Sequence, residues 1–452
     1  MERYKKSLEY LEQALKVTPG GAQTLSKRAG RFPEGAYPVA LQSGDGAHVV
    51  DIDGHRYLDM ICGLACMTLG YGFTPKRLAF TVMEAVRIQV LYGVAFSLAH
   101  PLEAEVAEKI CALIPCAEQV RFMKTGSEAT EAAIRVARKA TGCDLVLTVA
   151  EGYHSWHSWF QAVKPHHPGI PDAYTKMVRT VPYNDLARFI DMFQSCDELE
   201  GWHRIAAVIL EPCHYDQPAS GFLQGVRDLC TKHGAVLIFD EMVTGFRWAN
   251  GGAQEYFGVT PDLATFGKAC ANGFPLAFLC GKRELMEHAD VISGTFGGDV
   301  LGLAACNAVL DIYAKEPIIE TLWARGLQFQ QGFNDLAQVL DVPAICDGFA
   351  VKPRIKFGIS QSVVPSDAAY GHSVEQVNNL AMSLFLQETA LCGILWHPAG
   401  GNVSAAMTKE DIELALTGMG EALVVVKQAL ESGDWSVLKG KPIQSTPFVR
   451  KA

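Results

Sequence analysis

Ala235-Val236-Leu237-Ile238-Phe239-Asp240 is the stretch that decides the fold. An apolar run closed by an acid reads as a strand buried on both faces, the mark of a parallel sheet, with its acid at the carboxyl end where open α/β sheets place their ligands. A second stretch, Pro261-Asp262-Leu263-Ala264-Thr265-Phe266-Gly267-Lys268, ends on an amine. A buried ammonium is costly unless it is paired or put to covalent use. Singly, Asp240 could cap its strand or pair with Arg247, and Lys268 could lie on the surface. Together the acid and the amine suit pyridoxal phosphate (PLP), with the lysine as the Schiff-base partner and the acid keeping the pyridine nitrogen protonated.

Working outward, apolar strand patterns at 120–123, 145–150, 205–210, 236–240, 263–266 and 277–280 alternate with helical ones. Such alternation predicts an α/β fold with a mostly parallel central sheet covered by helices. Residues 71–315 read as this large domain, and 316–452 as a smaller α+β domain. Residues 1–70 read as a segment joining the small domain. That segment holds an amphipathic helix with Leu8, Leu11 and Leu15 on one face, and a hairpin turning at Asp53-Gly54.

Three further motifs carry chemistry. Lys124-Thr125-Gly126-Ser127-Glu128 opens a helical pattern. Gly126 permits close backbone approach, Thr125 and Ser127 offer hydroxyls, and the helix N-terminus favours a dianion, although a plain N-cap by Thr125 or Ser127 has the same signature. Gly152-Tyr153-His154 follows the strand at 145–150, in a segment whose Trp156, Trp159 and Phe160 read as core. Glu211 closes another apolar strand.

The run from Leu237 to Arg247, the run from Gly252 to Leu263, and Gly267-Lys268 resemble the class III aminotransferases of PLP fold type I, and among them the glutamate-1-semialdehyde 2,1-aminomutase branch. The resemblance extends from Thr18-Pro19-Gly20-Gly21 to Val403-Ser404-Ala405-Ala406. It implies that Lys268 and Asp240 are catalytic, and that Thr125, Gly126 and Ser127 hold the cofactor phosphate. It implies too that Tyr153 and Met242 pack on the two ring faces, and that Thr295 reaches the phosphate of the neighbouring subunit. A homodimer with shared active sites follows from that last point. For the substrate, the resemblance points to Lys27, Arg28, His154 and Glu211.

Departures fall on the substrate side. Lys27 stands where the family has an arginine, and a point charge does not grip a carboxylate as a planar fork does. Cys213-His214-Tyr215-Asp216 replaces a Gly-Asn pair, and Asp299 replaces an Asn. The expected activity is therefore PLP-dependent transfer of an amino group between an amine or amino acid donor and an aldehyde or keto acceptor. Lys27, Arg28, Arg31 and Lys124 suit an anionic substrate. Aminomutation, elimination of ammonia and a non-enzymatic relative are the alternatives.

Bulk properties agree. The 452 residues carry a net charge of −10 with no basic tract, so no nucleic-acid or membrane-surface footprint exists. Thirteen cysteines, an odd number without a Cys-x-x-Cys pair, fit reduced thiols in the cytoplasm. His154 and His157 lack a third ligand for a metal. No apolar stretch is long enough to span a bilayer.

Overall fold

The computed structural model describes residues 3–72, 78–164, 169–197, 204–358 and 373–443. The chain forms two compact units, one of Met1–Leu64, Thr68–Phe80 and Glu320–Ala452, the other of Ala65–Met67 and Thr81–Ile319.

The first unit begins with the helix Lys5–Val17, whose inward face is Ser7, Leu11 and Ala14, with Leu8 half-buried. Leu15, expected on that face, is 55% exposed. The reason lies in Asp53, whose carboxylate accepts the backbone N–H of Lys6 at 2.7 Å, that of Ser7 at 3.0 Å and the Ser7 hydroxyl at 2.7 Å. Capping of the free N–H groups by a side chain from the hairpin turns Ser7 inward, and Leu15 rotates out with the helix. That hairpin belongs to strands β1 (Leu41–Asp45), β2 (His48–Asp51) and β3 (Arg56–Asp59), and Gly54 supplies the positive φ of 96° its turn requires.

The second unit is built on a seven-stranded sheet. Its strands are β4 (Gln119–Met123), β5 (Leu145–Val149), β6 (Val178–Val181), β7 (Ile205–Leu210), β8 (Val236–Asp240), β9 (Leu263–Phe266) and β10 (Ala277–Gly281). Their order is β4-β10-β9-β8-β7-β5-β6. β10 alone runs against the others, antiparallel to both β9 and β4. β6 escapes a sequence reading because Arg179 and Thr180 face solvent at the sheet's margin and break the apolar run.

Side-chain alternation covers both faces. Val146, Ala207, Ile209 and Ile238 meet Ala129, Ala133, Ile134 and Ala137 of the helix Gly126–Thr141. Leu147, Val208, Leu237 and Phe239 meet Phe189, Phe193 and Phe222 on the other side. Trp159 and Phe160 join the first of these clusters, whereas Trp156, also expected in the core, is 72% exposed. Its segment precedes the short helix Ser158–Gln161, and Trp156 turns outward between the buried Ser155 and that helix.

The remainder of the first unit holds the β11 (Ala344–Phe349) and β12 (Lys352–Phe357) hairpin. β13 (Ile394–Leu395) pairs in parallel with β3, so the amino- and carboxyl-terminal segments share one sheet. The helices Val374–Leu391 and Lys409–Ser432 complete it.

Leu237→Ala should destabilise the protein by about 2–5 kcal/mol, the usual cost of emptying a packed core site. Leu15→Ala should change stability by less than about 0.5 kcal/mol. Urea denaturation followed by circular dichroism measures both.

Candidate active site

In a parallel sheet every strand delivers its carboxyl end to one edge, and β4, β5, β7, β8 and β9 run the same way here. The residues singled out in the sequence follow those ends: Thr125, Gly126 and Ser127 after β4, Tyr153 and His154 after β5, Glu211 after β7, Asp240 and Met242 at β8, and Lys268 after β9. Register tightens the arrangement, since Leu210 lies opposite Phe239 and Asp240 opposite Thr265.

Asp240 is the centre of the network and is only 2% exposed. Its Oδ2 is 2.7 Å from His154 Nδ1. Its Oδ1 accepts the Met242 N–H at 3.1 Å and the Thr265 hydroxyl at 3.2 Å. A carboxylate offers about four acceptor positions, so three donors fix its orientation and leave room for one more.

Glu211 is the neighbouring acid. Its Oε1 accepts the Tyr153 N–H at 3.1 Å. Burial, and then the charge of Asp240, push its carboxyl above the ordinary value, while His154, the Tyr153 N–H and the charge of Lys268 pull the other way. All these groups therefore act on one small volume.

Lys268 is half-buried and starts the turn Lys268–Ala271 with φ of 47°. A non-glycine residue in the left-handed region stores on the order of 1–2 kcal/mol of strain, and such strain gathers at functional sites. Met242 is packed between two bare backbones. Its Sδ would lie 2.8 Å from a Cβ at Gly126 and 2.8 Å from a Cβ at Gly267, so a side chain at either position would displace the thioether from this place.

At the helix Gly126–Thr141, Thr125 is the N-cap. Its hydroxyl accepts the Glu128 N–H at 3.3 Å, and Glu128 Oε2 accepts the Thr125 N–H at 2.8 Å. The Ser127 hydroxyl accepts the Trp156 N–H at 3.5 Å. Lys124 forms an ion pair with Asp299, the cap of the helix Val300–Tyr313, which withdraws it from the basic group read in the sequence. Tyr153 stands edge-on to Phe160, with ring centroids 5.8 Å apart, and its other side is open. Thr295 is exposed in a turn before the helix Val300–Tyr313.

Lys27 and Arg28 belong to the first unit. Lys27 closes the turn Leu25–Lys27, and the Arg28 guanidinium leans on Gly20, where an added Cβ would meet Nε at 2.6 Å. Burial, and then the charge of Arg28, lower the affinity of the Arg31 guanidinium for its proton.

Residues 32–345 match the model of the family described as "Aminotransferase class-III". The chain belongs to the class III aminotransferase family. This aminotransferase is 33% identical over 450 residues, 95% of its length and 99% of the relative's, to glutamate-1-semialdehyde 2,1-aminomutase of Syntrophobacter fumaroxidans. It is 31% identical over 434 residues, 94% and 98% of the two chains, to 3-aminobutyryl-CoA aminotransferase of Cloacimonas acidaminovorans. Among solved structures, the FumI protein of Sphingopyxis sp., solved in its PLP internal aldimine form, superposes with a TM-score of 0.84 at 26% identity, covering 96% of this chain and all of that one. The family resemblance and the α/β fold read from the sequence are both borne out.

Two residues of the class III aminotransferase's site were not read in advance. Thr265 is visible only as a hydroxyl inside an apolar strand, a signal that acquires meaning once its register with Asp240 is known. Gly267 read as a flank of the lysine, not as clearance for Met242.

Glu211 yields a pH test. An acid whose folded pKa is raised above its unfolded value of 4.5 costs stability as pH climbs through the interval between them, because the unfolded chain has released the proton and the folded one still holds it. Glu211→Gln should therefore gain thermal stability relative to wild type at pH 7 and lose that advantage below pH 4.5. A constant difference across the range would show that Glu211 titrates normally.

Proposed function

We propose that this chain is a PLP-dependent aminotransferase acting on an anionic amine or amino acid and an anionic carbonyl partner. The observation that carries the reading is the shared edge: a lysine and an oriented buried acid with one acceptor position left, at the ends of the adjacent parallel strands β9 and β8, and a helix start with glycine clearance at the end of β4, which runs the same way. When bound, PLP supplies an electron sink for the bond broken at the amine-bearing carbon.

The chain's own residues do the rest. Lys268 Nζ would hold the cofactor and, when free, would serve as the base that moves the substrate proton. Asp240, with one acceptor position left, would hold the ring nitrogen protonated. Gly126 and Ser127, at the positive end of the helix Gly126–Thr141, would hold the phosphate, with the Thr125 hydroxyl beside them. Tyr153 and Met242 would cover the two ring faces and exclude water. Glu211 and His154 border the same volume. The family resemblance assigns the anionic group to Lys27 and Arg28. Aminomutation remains the second reading, favoured by the Syntrophobacter relative. The two differ in whether the carbonyl product leaves before it is re-aminated.

The homodimer with shared sites rests on exposed apolar surface. Leu91, Tyr92, Phe96 and Leu98, the last 86% exposed, stand out within one eight-residue run of the second unit, where monomers seldom expose so many large apolar side chains together. A second copy would cover this surface and bring Thr295 to its neighbour's phosphate. Among the described residues no helix is long and apolar enough to cross a membrane.

Borohydride reduction of the PLP-loaded protein should label Lys268 in the wild type and no lysine in Lys268→Ala; label retained elsewhere would refute the anchor. Asp240→Asn should lower the rate of the half-reaction roughly 100-fold or more. Leu98→Asp should shift the sedimentation coefficient to that of a monomer, with activity falling in parallel.

A further inference from the structure

Ser26, Lys27 and Arg28 lie where two tight turns meet, Leu25–Lys27 and Ala29–Arg31. The backbone bonds of these turns run from the Lys27 N–H to the Thr24 carbonyl at 3.2 Å, from Arg31 to Arg28 at 3.0 Å and from Phe32 to Ala29 at 2.9 Å. The Ser26 carbonyl is held from far along the chain, with His397 Nε2 at 3.3 Å. The same ring accepts the Ala399 N–H on Nδ1 at 3.0 Å, and that bond settles the tautomer. With Nδ1 an acceptor, the proton of a neutral imidazole sits on Nε2, which donates to Ser26. Burial lowers the His397 pKa to about 4; the Ser26 carbonyl pulls upward, and the charges of Arg31 and Lys352 push down again, so the ring is neutral at pH 7.

Packing within the first unit fixes the ring. The Trp396 N–H donates to the Tyr37 oxygen at 2.9 Å, and the Tyr37 hydroxyl donates to the Trp396 carbonyl at 2.9 Å. Phe32 stacks on Tyr37 with centroids 4.8 Å apart and meets the His397 ring edge-on at 5.5 Å. On the other flank the Arg28 side chain lies over Gly20.

We propose that His397 is a positioning residue for substrate selection: its Nε2–H holds the Ser26 carbonyl and so sets the Lys27–Arg28 backbone in the place from which those two cations meet the anionic end of the substrate. The inference rests on the reading that Lys27 and Arg28 take that group. Long basic side chains lose rotamer freedom when they grip an anion, and a backbone already fixed lowers the total cost of ordering. A neutral donor suits this task, because a charged one would repel Arg31 and Lys352.

The test uses the full-length PLP-loaded protein and two small reagents, aminooxyacetate, which carries a carboxylate, and methoxyamine, which does not. Both form an oxime with the PLP carbonyl and release the lysine amine, whatever the natural substrate. Each rate is divided by that reagent's rate with free PLP, and the quotient of the two is the anion preference. His397→Leu should lower this preference roughly 3- to 10-fold, the range of one neutral hydrogen bond. His397→Gln places an amide N–H near the position of Nε2 and should keep most of the preference, whereas His397→Asn is too short and should behave as H397L. A loss in H397L that falls equally on both reagents, an unchanged preference, or equal values for H397Q and H397N would overturn the proposal. The double variant Lys27→Gln, Arg28→Gln separates the two levels. Preference retained there refutes the anion site itself and the positioning role with it, while preference lost there and retained in H397L refutes the positioning role alone.

Discussion

A carboxylate buried at the edge of the parallel sheet, held by three donors from three different segments, is the constraint on which the site depends. Removing an ion from water costs several kcal/mol, and only well-placed hydrogen bonds offset it. Asp240 receives them from its own turn through the Met242 N–H, from the adjacent strand through Thr265, and from the loop after β5 through His154. One group thereby ties together β8, β9 and the β5 loop, and any shift of these segments leaves a buried charge with fewer partners.

The second constraint is empty space. Met242 occupies room that exists because Gly126 and Gly267 carry no side chain, and the His154 ring occupies room left by Gly152. Packed interiors leave few voids, so a cleft that must admit a flat ring is made by omission of atoms on the surrounding backbone. Lys268 complements this with a left-handed backbone that nothing local favours. Its strain is sustained by the strand before it and the buried turn after it, both of which the sheet holds rigidly.

Family membership accounts for the cofactor side of this edge better than for the substrate side. Lys124 is neutralised by Asp299, so the positive charge available to a substrate is narrower than the count of basic residues implies. In the first unit burial, and then the charge of Arg28, weaken the hold of the Arg31 guanidinium on its proton, and the Arg28 side chain lies over Gly20. The relatives named for a mutase and for a CoA-linked aminotransferase show that one scaffold supports different outcomes.

Much of the fold was legible because buried parallel strands are apolar on both faces, and Val236–Asp240 or Ile205–Leu210 admits no other reading. Asp240, Lys268 and Glu211 were legible for the related reason that a charged residue ending such a strand stands out. β6 was not, since a marginal strand exposes Arg179 and Thr180, and Leu15 was misplaced because a cap from Asp53, distant in sequence, sets the helix's rotation. The sequence by itself determined the strands, the edge at which chemistry gathers, and the residue types there. Only the tertiary structure decided which acceptor sites on Asp240 are filled, which glycines make room, and that His154 faces inward. Those are properties of register and packing between segments far apart in the chain, and no local pattern encodes them.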